Sequence, residues 1–132
     1  MNGYLIEVPR TGKELEENVM ARDLSFWKEK SSFEGKASDT YRALLNGVHL
    51  DYVCELQTDK ILSDVKNVFS DWEQIDTYNY EKNGAAFEIF ATDQICRFDC
   101  YSLTEADMNK IIDIMLEYDC PLYDAAIDVR FS

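Results

Sequence analysis

The chain has 132 residues, 46% of them hydrophobic, with 13 basic against 26 acidic side chains and a formal net charge of -13. That length fits one domain able to bury roughly two-thirds of its unfolded surface, and two Trp, eight Tyr and seven Phe argue against a disordered chain. The acidity argues against direct binding to nucleic acid or to an anionic membrane, and favours solubility and steered association with a basic partner.

The opening Met1-Asn2-Gly3-Tyr4-Leu5-Ile6-Glu7 has no basic segment and meets a charge early, unlike a signal peptide. No apolar stretch approaches the roughly 20 residues that a bilayer requires, so a cytoplasmic protein is expected. Tyr4–Val8 reads as a short first strand stopped by Pro9. Thr11 caps a helix from near Gly12, with Glu14, Glu16 and Glu17 near the positive end of its dipole. Leu15, Val19 and Phe26 form a broken helical stripe, which predicts that this helix ends or bends between Ala21 and Ser25. Ser31–Ser38 is loop-like.

From Asp39 the spacing of Tyr41, Leu44, Leu45 and Val48 predicts a helix to about Asn46, with Gly47 either inside it or its stop. Val48–Leu56 fits a helical face and a strand alternation equally well and stays open between them. Thr58 or Asp59 starts a clearer helix with the stripe Ile61, Leu62, Val65, Val68, Phe69 and Trp72. Ile75–Tyr80 supplies a strand turned at Asn83-Gly84. Ala86–Ala91 and Ile95–Tyr101 form a hairpin across Thr92-Asp93. Thr104 with Asp107 resembles a capping box and opens a helix through Met108, Ile111, Ile112, Met115 and Leu116 that Pro121 ends. Ile127–Phe131 returns as a last strand, in which Arg130 is expected to pair with Asp128 or Asp124 and Phe131 to close the core. N-terminal helices followed by a mainly antiparallel sheet with a covering helix make an α+β fold in one domain, 1–132.

Little in the sequence carries chemistry. His49 is the only histidine, and nothing beside it marks a nucleophile elbow or an activated thiol. The four cysteines, Cys54, Cys96, Cys100 and Cys120, contain no Cys-x-x-Cys pair and read as reduced, buried small hydrophobes rather than metal ligands. Glycine-rich phosphate loops and calcium loops are absent from the sequence. Neither catalytic residues nor a cofactor or metal is expected.

The charge is unevenly spread. Residues 1–66 carry nine Lys/Arg and twelve Asp/Glu, a net of -3, while residues 67–132 carry four and fourteen, a net of -10. In that second half the acids are interleaved with large aromatics, a composition that suits an interface in which aromatic anchors are ringed by charge. Asp71, Glu73, Asp76, Tyr78, Tyr80, Glu81 and Asp93 are therefore the candidate partner-binding residues.

The hairpin, the helix start Thr104-Glu105-Ala106-Asp107 and the ending Cys120-Pro121-Leu122-Tyr123-Asp124 … Arg130-Phe131 resemble the immunity proteins of bacterial polymorphic toxin and contact-dependent growth inhibition systems. The resemblance covers residues 84–131. It implies a small, cytosolic, catalytically inert protein that binds one cognate toxin, commonly a basic nuclease, and blocks it by stoichiometric occlusion. It assigns no individual residues. Two other readings stay open: a phage-type inhibitor or nucleic-acid mimic directed at a host nuclease, and a small thiol- or metal-dependent enzyme built on His49 and the cysteines.

Overall fold

The computed structural model describes residues 21–31 and 35–131. The expected strand at Tyr4–Val8 and the helix from Gly12 lie outside the described residues.

Strands β1 (Ala21–Phe26), β2 (Glu73–Asp76), β3 (Asn79–Lys82), β4 (Ala85–Ala91), β5 (Cys96–Tyr101), β6 (Leu122–Asp124) and β7 (Val129–Arg130) form one seven-stranded sheet in the order β2-β3-β4-β5-β1-β6-β7. All its pairings are antiparallel. With helices α1 (Ala37–Leu45), α2 (Thr58–Val68) and α3 (Glu105–Leu116), the chain is an α+β protein. Among the described residues no helix is long and apolar enough to cross a membrane.

Where a helix was expected to end or bend between Ala21 and Ser25, β1 instead lies at the centre of the sheet, between β5 and β6. The reason is packing: Leu24 and Phe26 are buried in the core one position on either side of Ser25, the period-2 pattern of a strand.

Alternation divides the core into two clusters on opposite faces of the sheet. On one face Leu24, Phe26, Phe87, Ile89, Phe98 and Leu122 pack with Ile61 and Val65 of α2 and Met108, Ile111, Ile112 and Met115 of α3. Residues of the other parity, Trp27, Ile95 and Tyr123, pack with Leu44 of α1 and with Val53. Tyr123 is sandwiched there by Trp27 at 5.3 Å and Tyr41 at 5.2 Å between ring centroids.

Helix α1 ends where Gly47, at φ +82°, turns into the left-handed region. The N–H of Val48 then reaches Ala43 O at 3.0 Å and that of Gly47 reaches Leu44 O at 3.1 Å, a Schellman closure. Val48–Leu56, open between helix and strand, is neither. Its backbone groups are satisfied from outside: Gln94 accepts from Leu50 N (3.0 Å) and donates to Leu50 O (2.8 Å) and Val53 O (2.9 Å). Cys54 N donates to Lys28 O and Leu56 N to Asp93 O. A segment whose hydrogen bonds are supplied by distant residues needs no ladder of its own.

Three further expectations change. The strand expected over Ile75–Tyr80 is two strands, because Asp76 accepts from Tyr78 N and Asn79 Nδ2 and folds the chain back at Thr77-Tyr78. Asn83-Gly84, both at positive φ, then makes the two-residue turn into β4. Helix α3 starts as expected, Thr104 Oγ1 accepting from Asp107 N at 3.1 Å. It ends well before Pro121, because Asp119 at φ +60° lets Cys120 N reach back to Met115 O. At the C-terminal end, Arg130 pairs with neither Asp128 nor Asp124. It bonds Glu29 at 2.8 Å, donates to Trp27 O at 2.6 Å and lies over the Trp27 ring at 4.6 Å. Asp124 is held by Arg22, and Asp128 by the Tyr123 hydroxyl. Phe131 is partly buried against the main cluster.

Candidate partner-binding face

The residues that alternate with the main core point to the second face of the sheet. Cross-strand register fixes which of them are neighbours. Asp23 of β1, Asp99 of β5, Glu88 of β4 and Asn79 of β3 lie side by side in one row. The adjoining row is Ala21, Tyr101, Ala86, Glu81 and Glu73; on the other side lie Ser25, Arg97 and Phe90.

Helix α1 covers one end of this face, where Tyr41 packs on Tyr123. The rest is open. Glu73, Glu81 and Glu88 are exposed, as are Phe90 at 37% and Tyr101 at 48% of their full surface. Five carboxylates (Asp23, Glu73, Glu81, Glu88 and Asp99) thus share one face of the sheet with two exposed aromatic rings. Arg97 offsets part of that charge: its Nη2 donates to Asp99 Oδ2 at 3.2 Å, its Nε makes a charge contact with Asp99 Oδ1 at 2.9 Å without hydrogen-bond alignment, and its guanidinium lies 5.3 Å from the Phe90 ring centroid.

The electrostatics are strained in the free protein. Partial burial and the neighbouring Asp99 carboxyl hold the Asp23 carboxyl above its ordinary pKa, and Arg97 opposes this only in part. Glu73 and Glu81 sit directly opposite each other on β2 and β3, a like-charge pair that works against the sheet. They line a shallow depression of about 320 Å³ with the Asn83-Gly84 turn and Ala86.

Of the residues singled out from sequence, Glu73 and Glu81 are therefore brought together, and Asp76 and Tyr78 lie beside them in the β2–β3 turn. Hydrogen bonds from Asn79 and Tyr78 N hold the Asp76 carboxyl below its usual range, as a bond from Lys82 does for Asp71. Asp71 is thereby engaged within the molecule. Tyr80 is not on this face: its ring is buried and stacked on Phe87 at 4.9 Å, so it is a core residue rather than an anchor. Asp93 lies in the turn beyond the last paired residues of the hairpin, Ala91 and Cys96. Trp72 is likewise core.

Sequence reasoning missed Asp23, Glu88, Phe90, Asp99 and Tyr101. The signal was present in the two hairpin strands. With Phe87 and Ile89 inward, Glu88 and Phe90 must point outward; with Cys96, Phe98 and Cys100 inward, so must Arg97, Asp99 and Tyr101.

The residues considered for chemistry are placed apart from this face or sealed. His49 is exposed and lies 3.8 Å from Asp51. Cys96 and Cys100 are buried, and burial pushes both thiols far up; burial raises Cys120 to about 12. None of those three supplies a ready thiolate at neutral pH. Among the described residues no group of three His, Cys, Asp or Glu side chains could hold a metal ion.

Compared with protein-family models, curated proteins and solved structures, the chain matches none.

Proposed function

We propose that this protein is a stoichiometric inhibitor of the immunity-protein kind, which neutralises a cognate basic protein toxin by covering the surface with which that toxin meets its substrate. The observation that carries the reading is the open sheet face, where Glu73, Glu81, Glu88, Asp23 and Asp99 surround the exposed rings of Tyr101 and Phe90. Carboxylates left facing one another cost stability in the free protein and are relieved by a partner's Lys and Arg side chains. Exposed aromatics beside them supply contact area of the type that dominates binding energy. If the toxin is a nuclease, these acids stand where the phosphates of its substrate would lie. Enclosure of three of the four thiols, Cys96, Cys100 and Cys120, favours a binding protein over an enzyme built on them.

The test is co-expression with a neighbouring-gene toxin candidate, followed by capture on the wild-type protein and on the triple variant Glu73→Lys/Glu81→Lys/Glu88→Lys. Wild type should rescue growth and retain a basic protein in one-to-one ratio; the folded triple variant should do neither. Rescue by the triple variant as complete as by wild type would sink the assignment of the face. Rescue at far less than one inhibitor per toxin would sink stoichiometric occlusion.

A further inference from the structure

Among the described residues four buried side-chain polar atoms lack a hydrogen-bond partner, and three of them lie together on the open face: Ser25 Oγ, Arg97 Nε and Asp99 Oδ1. Buried polar groups are nearly always paired, so a cluster of unpaired ones calls for a cause. We propose that Arg97 is a resident stand-in for an arginine of the protein partner, which takes its place on Asp99 while Arg97 turns to Ser25. The inference rests on the open face as the docking surface, and it names the side chain which that face receives.

The contact that Arg97 makes is poor for an arginine. Charge-assisted N–H···O bonds run at about 2.7–2.9 Å, and guanidinium–carboxylate pairs favour two parallel ones. Arg22 and Arg42 reach Asp124 and Asp39 at 2.7 Å. Arg97 Nη2 reaches Asp99 Oδ2 only at 3.2 Å, while its Nε meets Oδ1 without alignment. The two residues are one position removed from each other on the same face of β5, so the guanidinium is tethered beside the carboxylate. An arginine carried on another chain has no such tether and can meet Asp99 head on.

The occupant is identified by what the place already holds: a guanidinium bonded to Asp99 and lying 5.3 Å from the Phe90 ring centroid. A planar, forked cation suits the ring and the carboxylate together, as a compact ammonium does not. The side chains of Arg97 and Asp99 keep 24% and 17% of their surface, so the place is open to a partner. Asp23 stands beside Asp99, which leaves two carboxyl groups to one cation. Arg97 also has somewhere to go. Ser25 is its direct partner across the ladder, at 0% exposure and with an unpaired Oγ. Side chains so placed start roughly 5 Å apart at Cβ, a span that Arg97 Nε covers.

The probe is n-propylguanidinium, an arginine side chain without its backbone, titrated into the intact protein and followed by NMR. The Arg97 Nε–Hε signal should shift saturably, while those of Arg22 and Arg130, held by Asp124 and Glu29, stay in place. Arg97→Gln removes the competitor and should tighten binding by roughly tenfold, read at the Asp99 carboxyl carbon. Lys82→Gln changes the net charge equally, at a position of the same parity as core Tyr80, and should not. Ser25→Ala, which removes the second acceptor, should weaken binding. The proposal falls if no shift saturates, if neutral n-propylurea gives equal shifts, or if n-butylammonium binds as tightly. It falls also if Arg97→Gln binds no more tightly than Lys82→Gln, or if folded Ser25→Ala binds as wild type does. A resident water in contact with Arg97 Hε in the free protein would overturn it too, since solvent would then pair the same atoms. No toxin enters this experiment, so a negative result leaves the rescue test of the face standing, and failure of that test leaves this result standing.

Discussion

Asp23 and Asp99 are direct cross-strand partners on β1 and β5, so two carboxyl groups sit side by side across the ladder. Burial first, and then the Asp99 carboxyl beside it, hold Asp23 above its ordinary 3.8 in the folded protein. Between that value and the raised one the native state binds more protons than the unfolded chain, so stability falls as pH rises through the window and is fully present below it. Asp99→Asn should return Asp23 part of the way to its ordinary value and lessen that slope, burial retaining the remainder. Carboxyl-carbon NMR titration of both proteins, with urea melts across the same pH range, provides the check; an Asp23 signal that already titrates normally in wild type would contradict the pairing.

Gln94 is one side chain that organises distant backbone. It is buried, and all three of its side-chain hydrogen bonds go to Leu50 and Val53. Gln94→Leu keeps much of the bulk but leaves Leu50 N and Val53 O without this partner. At the usual penalty for buried unpaired groups the loss should be about 2–4 kcal/mol. Denaturant unfolding measures it, and amide exchange at Leu50 should quicken more than exchange in α3.

What the sequence made legible follows the range of the forces involved. The two helices with strong apolar stripes, at Thr58 and Glu105, and the β4–β5 hairpin are encoded locally, by periodicity, a Thr104 cap and turn residues. The Asn83-Gly84 turn was legible for the same reason. What was not legible depended on long-range pairing. Ala21–Phe26 is a strand because β5 and β6 flank it, and Val48–Leu56 is irregular because Gln94 lies against it. The site followed the same division. Glu73 and Glu81 were found because acids and aromatics cluster there in sequence. Asp23 belongs to the face through register alone, and Tyr80 left it because strand parity turned its ring onto Phe87.

The thiols should separate by burial. Cys54 is half-buried, whereas Cys96, Cys100 and Cys120 are enclosed. An aromatic disulfide reagent at neutral pH should modify Cys54 first, and the other three only as fast as the protein opens. Cys96→Ala and Cys100→Ala should lower stability modestly through lost packing, by about 1–2 kcal/mol each, without altering partner binding. Mass-resolved labelling kinetics distinguish the sites; prompt labelling of Cys96 or Cys100 in the folded protein would contradict their burial.

Glu81→Lys sets stability against function at one position. In the free protein Glu81 faces Glu73 across the β2–β3 ladder, so reversal replaces repulsion with an opposite-charge pair. The gain should be roughly 0.2–1 kcal/mol, nearer the lower figure because both side chains are exposed, and it should fade in high salt. If the acid is there for a basic partner, the same change must slow association, because long-range attraction acts mainly on that rate. Reversals at Glu14, Glu16 and Glu17, where Lys13 and Arg10 already dilute the field, should slow it less. Stopped-flow association across a salt series, beside urea melts of each variant, measures both effects. A stabilised Glu81→Lys protein that still associates at the wild-type rate would mean that the acidity serves solubility and that the partner docks elsewhere. A variant that is stabilised and slow to associate would mark Glu81 as a residue kept at a cost in stability for the sake of binding.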